Sequence, residues 1–491
     1  MSSVLRPTVL GIVVLVLALL ALAGCGRVGY AADPLDAAGL DAPAPDAAID
    51  LDAALPDAPG LDAPFPDAPS PDAPSPDAFA LDASTPDAGP PDAFALDAPR
   101  GDAGPVVTDP RCLTGTPVRF DEIGSGVSSD PYLLCNADQL DSFFASGPGT
   151  ASYQLGDDIV TGSWAGRASL TGSFDGAGHE IWVTAFVTSP FVLSLVGRVT
   201  DVRFRVSVDA PSLDRVGVVA GASTGMILRV TVETDFVSGG DETGGIVGQC
   251  TGCTIDDVVV RVARISGNTR VGGVVGNMFA GSLTRARAEV SQVDARATTG
   301  CADLGGIVGT AHDGAMVDEA WARVTLLSST PGVGGVVGDL GVGSSASDVI
   351  ADGSVTVTGG AGCSWHSGGL AAHVGGTLDR GWARLTNSRS GLADRVDAGG
   401  ILRDLAGVTP GLGGPEWVAR TCNVASIFSG VVVLDDGTGG SGAATCSVLG
   451  LVTSTDATYF ELATNPPMSS WSTMTWSFAP AAMPMLRRVR L

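Results

Sequence analysis

The side chains able to do chemistry in this sequence are few. Four histidines stand at 179, 312, 366 and 373. Nine cysteines stand at 25, 112, 135, 250, 253, 301, 363, 422 and 446. Adjacent carboxylates occur at Asp157-Asp158, Asp256-Asp257 and Asp435-Asp436, the residue type that acid/base work or calcium binding requires. His179-Glu180 begins like the zinc-binding H-E-x-x-H motif, but Val183 stands where the second His is needed. Gly221-Ala222-Ser223-Thr224-Gly225 fits G-x-S-x-G. A nucleophile there needs a strand before it and a helix after it, and here more strand pattern follows. Gly437-Thr438-Gly439-Gly440-Ser441-Gly442 fits G-x-G-x-x-G after Val431-Val432-Val433-Leu434, yet no helical pattern opens behind it. Cys250-Thr251-Gly252-Cys253 has redox or zinc spacing, but no second such pair or nearby His supports a metal. Trp365-His366 and His373 flank a glycine corner and read as surface packing. The expectation is therefore no catalytic, metal or cofactor site, and no cofactor.

The elements that would position these groups show themselves as a repeat. Gly-Gly-apolar-apolar-Gly recurs at 244–248, 272–276, 305–309 and 334–338, with degenerate copies at 195–197, 217–221, 368–372 and 399–402. Successive copies end 24 to 34 residues apart. Between copies, apolar and polar residues alternate: Val202, Phe204, Val206 and Val208 against Asp201, Arg203, Arg205 and Ser207. Period-two alternation puts one face inside and one in solvent. Glycine at each corner allows close backbone approach. No 3.6-period run exists to supply crossover helices. Short strands, glycine corners and a period near 30 residues predict an all-β fold, a β-solenoid of about eight coils read as a right-handed parallel β-helix. A single coil cannot bury its own apolar side, so such coils are stable only as a stack. Stack ends need caps. Asn136 three residues before Gln139, with Leu140, Phe143 and Phe144 on one face, predicts a short capping helix at the front.

The copies resemble the GLUG repeat family of bacterial surface proteins, some of which are immunoglobulin-A1-cleaving metallopeptidases. The phrases Tyr153-Gln154-Leu155-Gly156-Asp157-Asp158-Ile159 and Gly172-Ser173-Phe174-Asp175-Gly176-Ala177-Gly178-His179-Glu180-Ile181 are similar to those that lead into such coils. Trp476 and Met483-Pro484-Met485-Leu486-Arg487 look like the closing phrase. The resemblance implies architecture over residues 130–491. It does not carry the peptidase activity over, because the second metal-binding His is missing.

The N-terminus has Arg6, an apolar run over 8–23 and Leu22-Ala23-Gly24-Cys25, the layout of an export signal. The ending resembles the bacterial lipobox. That implies removal of 1–24, acylation of Cys25 and attachment to a membrane; Gly26 after the Cys implies the outer membrane. Over 33–105, Asp-Ala recurs almost every five residues with 16 Asp and 16 Pro. Proline and repelling carboxylates predict a disordered, extended tether. The expected organisation is a signal at 1–24, an Asp/Pro/Ala tether at 25–110, an N-terminal cap and first coils at 111–185, GLUG-like coils at 186–430, and a C-terminal coil and cap at 431–491.

With Cys25 lipidated, eight cysteines remain, an even number that reads as disulfides in an exported protein. Chain order suggests Cys112–Cys135, Cys250–Cys253 and Cys422–Cys446, and Cys301 and Cys363 sit at matching places in the two longest coils. The net charge of -26, with 27 Lys+Arg that are all Arg, argues against binding a nucleic-acid backbone. Without Lys, a Walker A loop is impossible. These readings converge on a monomeric, lipid-anchored surface protein that presents a solenoid to a partner protein or glycan without catalysis. The alternative is a β-helix enzyme that cleaves polysaccharides. In the fold, that alternative requires three or more carboxylates and an Arg converging in one groove on adjacent coils. Cys25→Ser should block processing and release the protein from the membrane fraction; unchanged processing and fractionation would contradict the lipid anchor.

Overall fold

The computed structural model describes residues 107–296, 302–328, 332–357, 367–386, 393–396, 401–408, 419–422, 427–429, 432–434, 452–454, 462–478 and 484–489. The signal, Cys25 and the tether through residue 106 lie outside the described residues. So do Asp435-Asp436, the glycine-rich 437–442 segment, His366, Cys301, Cys363, Cys446 and the side chain of Cys422. No helix among the described residues is long and apolar enough to cross a membrane.

From about residue 130 the chain winds into a β-solenoid of parallel, in-register strands. The central coils contribute to three walls. A short wall holds Arg215–Val216, Glu242–Gly244, Arg270–Gly272, Asp303–Gly305, Val333–Gly334 and Ser367–Gly368. A second wall includes Val247–Thr251, Val275–Phe279, Val308–His312, Val337–Leu340 and Ala371–Val374. A long wall returns the chain through strands such as Thr254–Gly267, Ser282–Ala295, Met316–Ser328 and Ser345–Val357. Alternation works as expected: Val202, Phe204, Val206 and Val208 are buried, and the residues between them reach solvent.

The motif glycines have a steric reason. Short and second walls fold back on each other with their backbones in contact. A Cβ on Gly276 would lie 2.6 Å from the Thr243 nitrogen and 2.7 Å from the Gly248 carbonyl oxygen. Only hydrogen fits between them, which makes the junction a re-entrant corner.

The front cap is as the sequence indicates. The helix Ala137–Ser146 starts at Asn136, whose side chain accepts from Gln139 N at 3.0 Å, while Gln139 Oε1 accepts from Cys135 N at 2.8 Å. Leu140 and Phe143 are fully buried. Phe143 meets Tyr153, Phe174 and Phe191, so the helix seals the first coils with rings. Arg167 donates to the carbonyls of Phe143 and Gly147, satisfying the helix C-terminus. Cys112–Cys135 and Cys250–Cys253 are bonded, with Cα atoms 5.4 and 5.5 Å apart.

Three expectations need correction. The second wall has ten strands, two more than the eight coils counted from motif copies. Two degenerate copies are not corners. Ile401–Val408 is a long-wall strand, and its coil enters the second wall through Ala393–Val396. Likewise Gly197 falls after the second-wall strand Val192–Leu195 and immediately before Arg198–Thr200. Glycine marks every tight place in a solenoid, not the motif corner alone. Thirdly, the C-terminal segment is not simply an end cap. Val432–Leu434 and Val452–Ser454 extend the long wall. Residues 462–478 and 484–489, however, lie on the outer side of that wall. There Met468, Trp471, Trp476, Leu486 and Val489 bury Trp321, Ile350 and Trp382. Trp476 Nε1 donates to Asp348 at 2.6 Å and Arg488 donates to Glu319 at 3.2 Å.

The steric argument at Gly276 predicts that Gly276→Ala lowers unfolding stability by about 1–3 kcal/mol. Gly162→Ala, where an added Cβ meets nothing within 4 Å, should be near neutral. Denaturant unfolding of both variants checks the pair; equal effects would contradict backbone contact at the corner.

Candidate functional site

The re-entrant corner places two columns of outward side chains face to face. The residue two before each glycine pair comes from the short wall, in the order Arg215, Glu242, Arg270, Asp303. The residue after each motif's last glycine comes from the second wall, in the order Gln249, Asn277, Thr310, Asp339, His373. The offset of seven residues between column mates, as in Glu242 and Gln249 or Asp303 and Thr310, follows from the motif itself.

Glu242 is the hub of the first half. Its Oε1 accepts from Asn277 Nδ2 at 2.6 Å, Arg270 at 3.1 Å and Gln249 Nε2 at 3.5 Å. Its Oε2 faces Arg215 Nε at 3.4 Å and accepts no hydrogen bond. Asn277 Oδ1 meets His312 Nε2 at 2.9 Å, and the imidazole stacks on Phe279 at 4.2 Å. Burial there pushes the His312 value down.

The second half is acidic. Thr310 Oγ1 donates to Asp303 Oδ2 at 3.2 Å, and Asp339 Oδ1 pairs with His373 Nδ1 at 2.7 Å. The Asp303 residue keeps some solvent contact, but protein atoms surround its carboxyl on nearly all sides. That desolvation, reinforced by the charge of Asp339, pushes Asp303 up to about 7; the Thr310 hydrogen bond, Arg270 and His373 act the other way. Glu242, Arg270, Asp303 and Asp339 thus stand one to a coil on four successive coils along the groove. Among the described residues no group of three His, Cys, Asp or Glu is placed to hold a metal.

Motif-based candidates fall elsewhere. His179 is buried with Nδ1 3.2 Å from Asp158, and the strand Glu180–Val183, not a helix, follows it. Glu180 pairs with Arg203 and Arg205, and burial raises its value. Ser223 is buried in strand, and its Oγ accepts from Gly225 N at 3.2 Å, so it is no exposed nucleophile. Asp157 accepts from Thr108. Asp256 binds Arg285, and Asp257 forms a left-handed bend with φ 57°. His373, read from sequence as surface packing, lines the groove instead, as does His312. The column offset was the signal that sequence reasoning passed over.

No protein-family model and no curated protein matches the sequence. Among solved structures, the chain aligns with a crystal structure named "putative immunoglobulin A1 protease" from Bacteroides ovatus. The match has 17% identity over 75% of this chain and 96% of that one, with a TM-score of 0.36. A likeness that distant carries nothing about function.

An acid whose folded value is raised costs stability as pH climbs. Asp303 should lower stability from about pH 4, its unfolded value, through about 7, with no further loss above that. Asp303→Asn should therefore be more stable relative to wild type at pH 8 than at pH 5. Denaturant midpoints at both pH values check this; a pH-independent difference would contradict the burial of that carboxyl.

Proposed function

We propose that the protein is a lipid-anchored, outer-membrane surface protein of GLUG-repeat type whose solenoid binds an extended glycan along the re-entrant groove. The observation that supports this is the groove's periodicity. Donors, acceptors and charges recur on each coil at about 4.8 Å, close to the length of one pyranose unit. Gln249, Arg270, Asp303, Asp339 and His373 all keep partial solvent contact, so a chain of hydroxyls can be read rung by rung. Glu242 is held in place by three donors, and preorganised groups lose little entropy on binding. The acidic Asp/Pro tether fits a spacer role. A nucleic-acid partner is disfavoured by a net charge of -26. Binding is all that this reading requires.

The test is a panel of reducing-end-labelled hexasaccharides, neutral, N-acetylated and uronate, offered to the full-length protein. At least one should bind, and Arg215→Ala/Gln249→Ala should weaken that binding by about tenfold or more, the loss expected for hydrogen bonds to charged groups. Failure of every hexasaccharide to bind, or binding unaffected by the double variant, would overturn the groove as the glycan site.

A further inference from the structure

One aromatic pair beside the groove has a bare face. Two residues past the polar column of the second wall, Thr251, Phe279 and His312 stack in register, and the next two positions are Gly341 and Gly375. Phe279 and His312 lie ring on ring, with centroids 4.2 Å apart and planes inclined by 19°. The imidazole is held in place from the groove's hub. Asn277 Nδ2 donates to Glu242 at 2.6 Å, so Asn277 Oδ1 is the acceptor that meets His312 Nε2 at 2.9 Å. That network assigns the hydrogen to Nε2. Burial pushes the His312 value down, which favours the neutral ring. Phe279 covers one face of the imidazole. The other face looks toward the rung of Gly341, which brings no side chain.

The backbone does not require glycine at 341. Its φ lies outside the left-handed region, and an added Cβ would come no closer than 3.1 Å to His312 Cβ and 3.4 Å to the Ala311 carbonyl oxygen. Glycine where a side chain has room marks a place that another group approaches closely. On the next rung, Val342 Cγ2 lies 3.2 Å from where a Cβ of Gly375 would stand, and Val342 is 73% exposed. The slot therefore has an aromatic floor and an aliphatic lip. Asp339 and His373, paired at 2.7 Å, occupy the same two rungs in the polar column.

We propose that this slot holds one uncharged pyranose of the glycan, with its apolar C–H face on His312 and its edge hydroxyls on Asp339 and His373. The inference rests on the glycan-binding reading and adds the kind of sugar and the place where it stacks. A pyranose is amphipathic in the same sense as the slot: its axial C–H groups form a flat apolar patch, and hydroxyls ring that patch. The negative face of an aromatic ring attracts those C–H groups. A uronate is disfavoured, because its carboxylate would approach Asp339 and, on the coil before, Asp303. Asn277 is a positioning residue that acts through His312.

The experiment measures binding of the labelled hexasaccharides to the full-length protein, with thermal unfolding of each variant alongside. A neutral or N-acetylated hexasaccharide should bind about tenfold or more tightly than the uronate one. Gly341→Val fills the slot and should weaken that binding by about tenfold or more, as should His312→Ala. His312→Phe keeps a ring without the hydrogen bond and should bind about fivefold more tightly than His312→Ala. Saturation-transfer NMR should mark the C–H protons of one sugar ring and lose that signal in His312→Ala. A preference for uronate, wild-type binding in a folded Gly341→Val, or a His312→Phe variant as weak as His312→Ala would each overturn the slot and leave groove binding standing. If Gly341→Val fails to fold, the two His312 variants decide. Failure of every hexasaccharide to bind would overturn the slot and the glycan reading together.

Discussion

Parallel stacking in register brings each paired strand residue to within about 4.8 Å of its counterpart in the next coil. Nothing else in the fold is free of that constraint. Inside, it is satisfied by columns of Val, Ile, Leu and Ala. Outside, a charged residue must meet an opposite charge above and below, or repel its own kind. The long wall meets this with an alternating ladder in which Arg205, Glu233, Arg261, Glu289, Arg323, Asp352 and Arg384 stack in sequence. Arg261 holds Glu233 at 2.9 Å and Glu289 at 3.3 Å, and Arg384 holds Asp352 at 2.8 Å. Each such pair contributes little alone in solvent. Their value is in register, because a one-residue slip would put apolar side chains outside and break every rung.

Alternation lapses in two places. Glu319 and Asp348 follow one another as left-handed bends on adjacent coils with no Arg between them. Burial, with the charges of Asp318 and Asp348, raises the Glu319 value. This is where the C-terminal segment docks, bringing Arg488 to Glu319 and the Trp476 indole N–H to Asp348. The chain thus neutralises that lapse itself and buries an outward Trp column in the process. The other lapse is Asp303 followed by Gly332 and Asp339. The next position in that column, His366, lies outside the described residues.

Much of the architecture could be read from the chain. The Gly-Gly-apolar-apolar-Gly copies located most re-entrant corners, alternation located the walls, and Asn136 with Gln139 located the front helix. The groove was not legible for a physical reason. Column mates within a copy sit at a constant offset, but the long wall varies in length. Asp303 therefore stands 33 residues after Arg270, while Asp339 stands 34 before His373. Linear spacing hides which residues stack. The C-terminal docking was hidden more deeply, since Trp476 and Arg488 reach partners 128 and 169 residues away. Motif matches misled where local sequence imitated a site without its backbone, as at His179 and Ser223.

Whether the re-entrant groove is the working surface is tested most directly by hydrogen–deuterium exchange on the full-length protein, with and without whichever hexasaccharide it retains. Protection should concentrate at 303–312 and 332–340 and at the facing segments 242–249 and 270–277, while the alternating ladder on the long wall stays unchanged. Protection confined to the long wall, or no change at the groove, would contradict it.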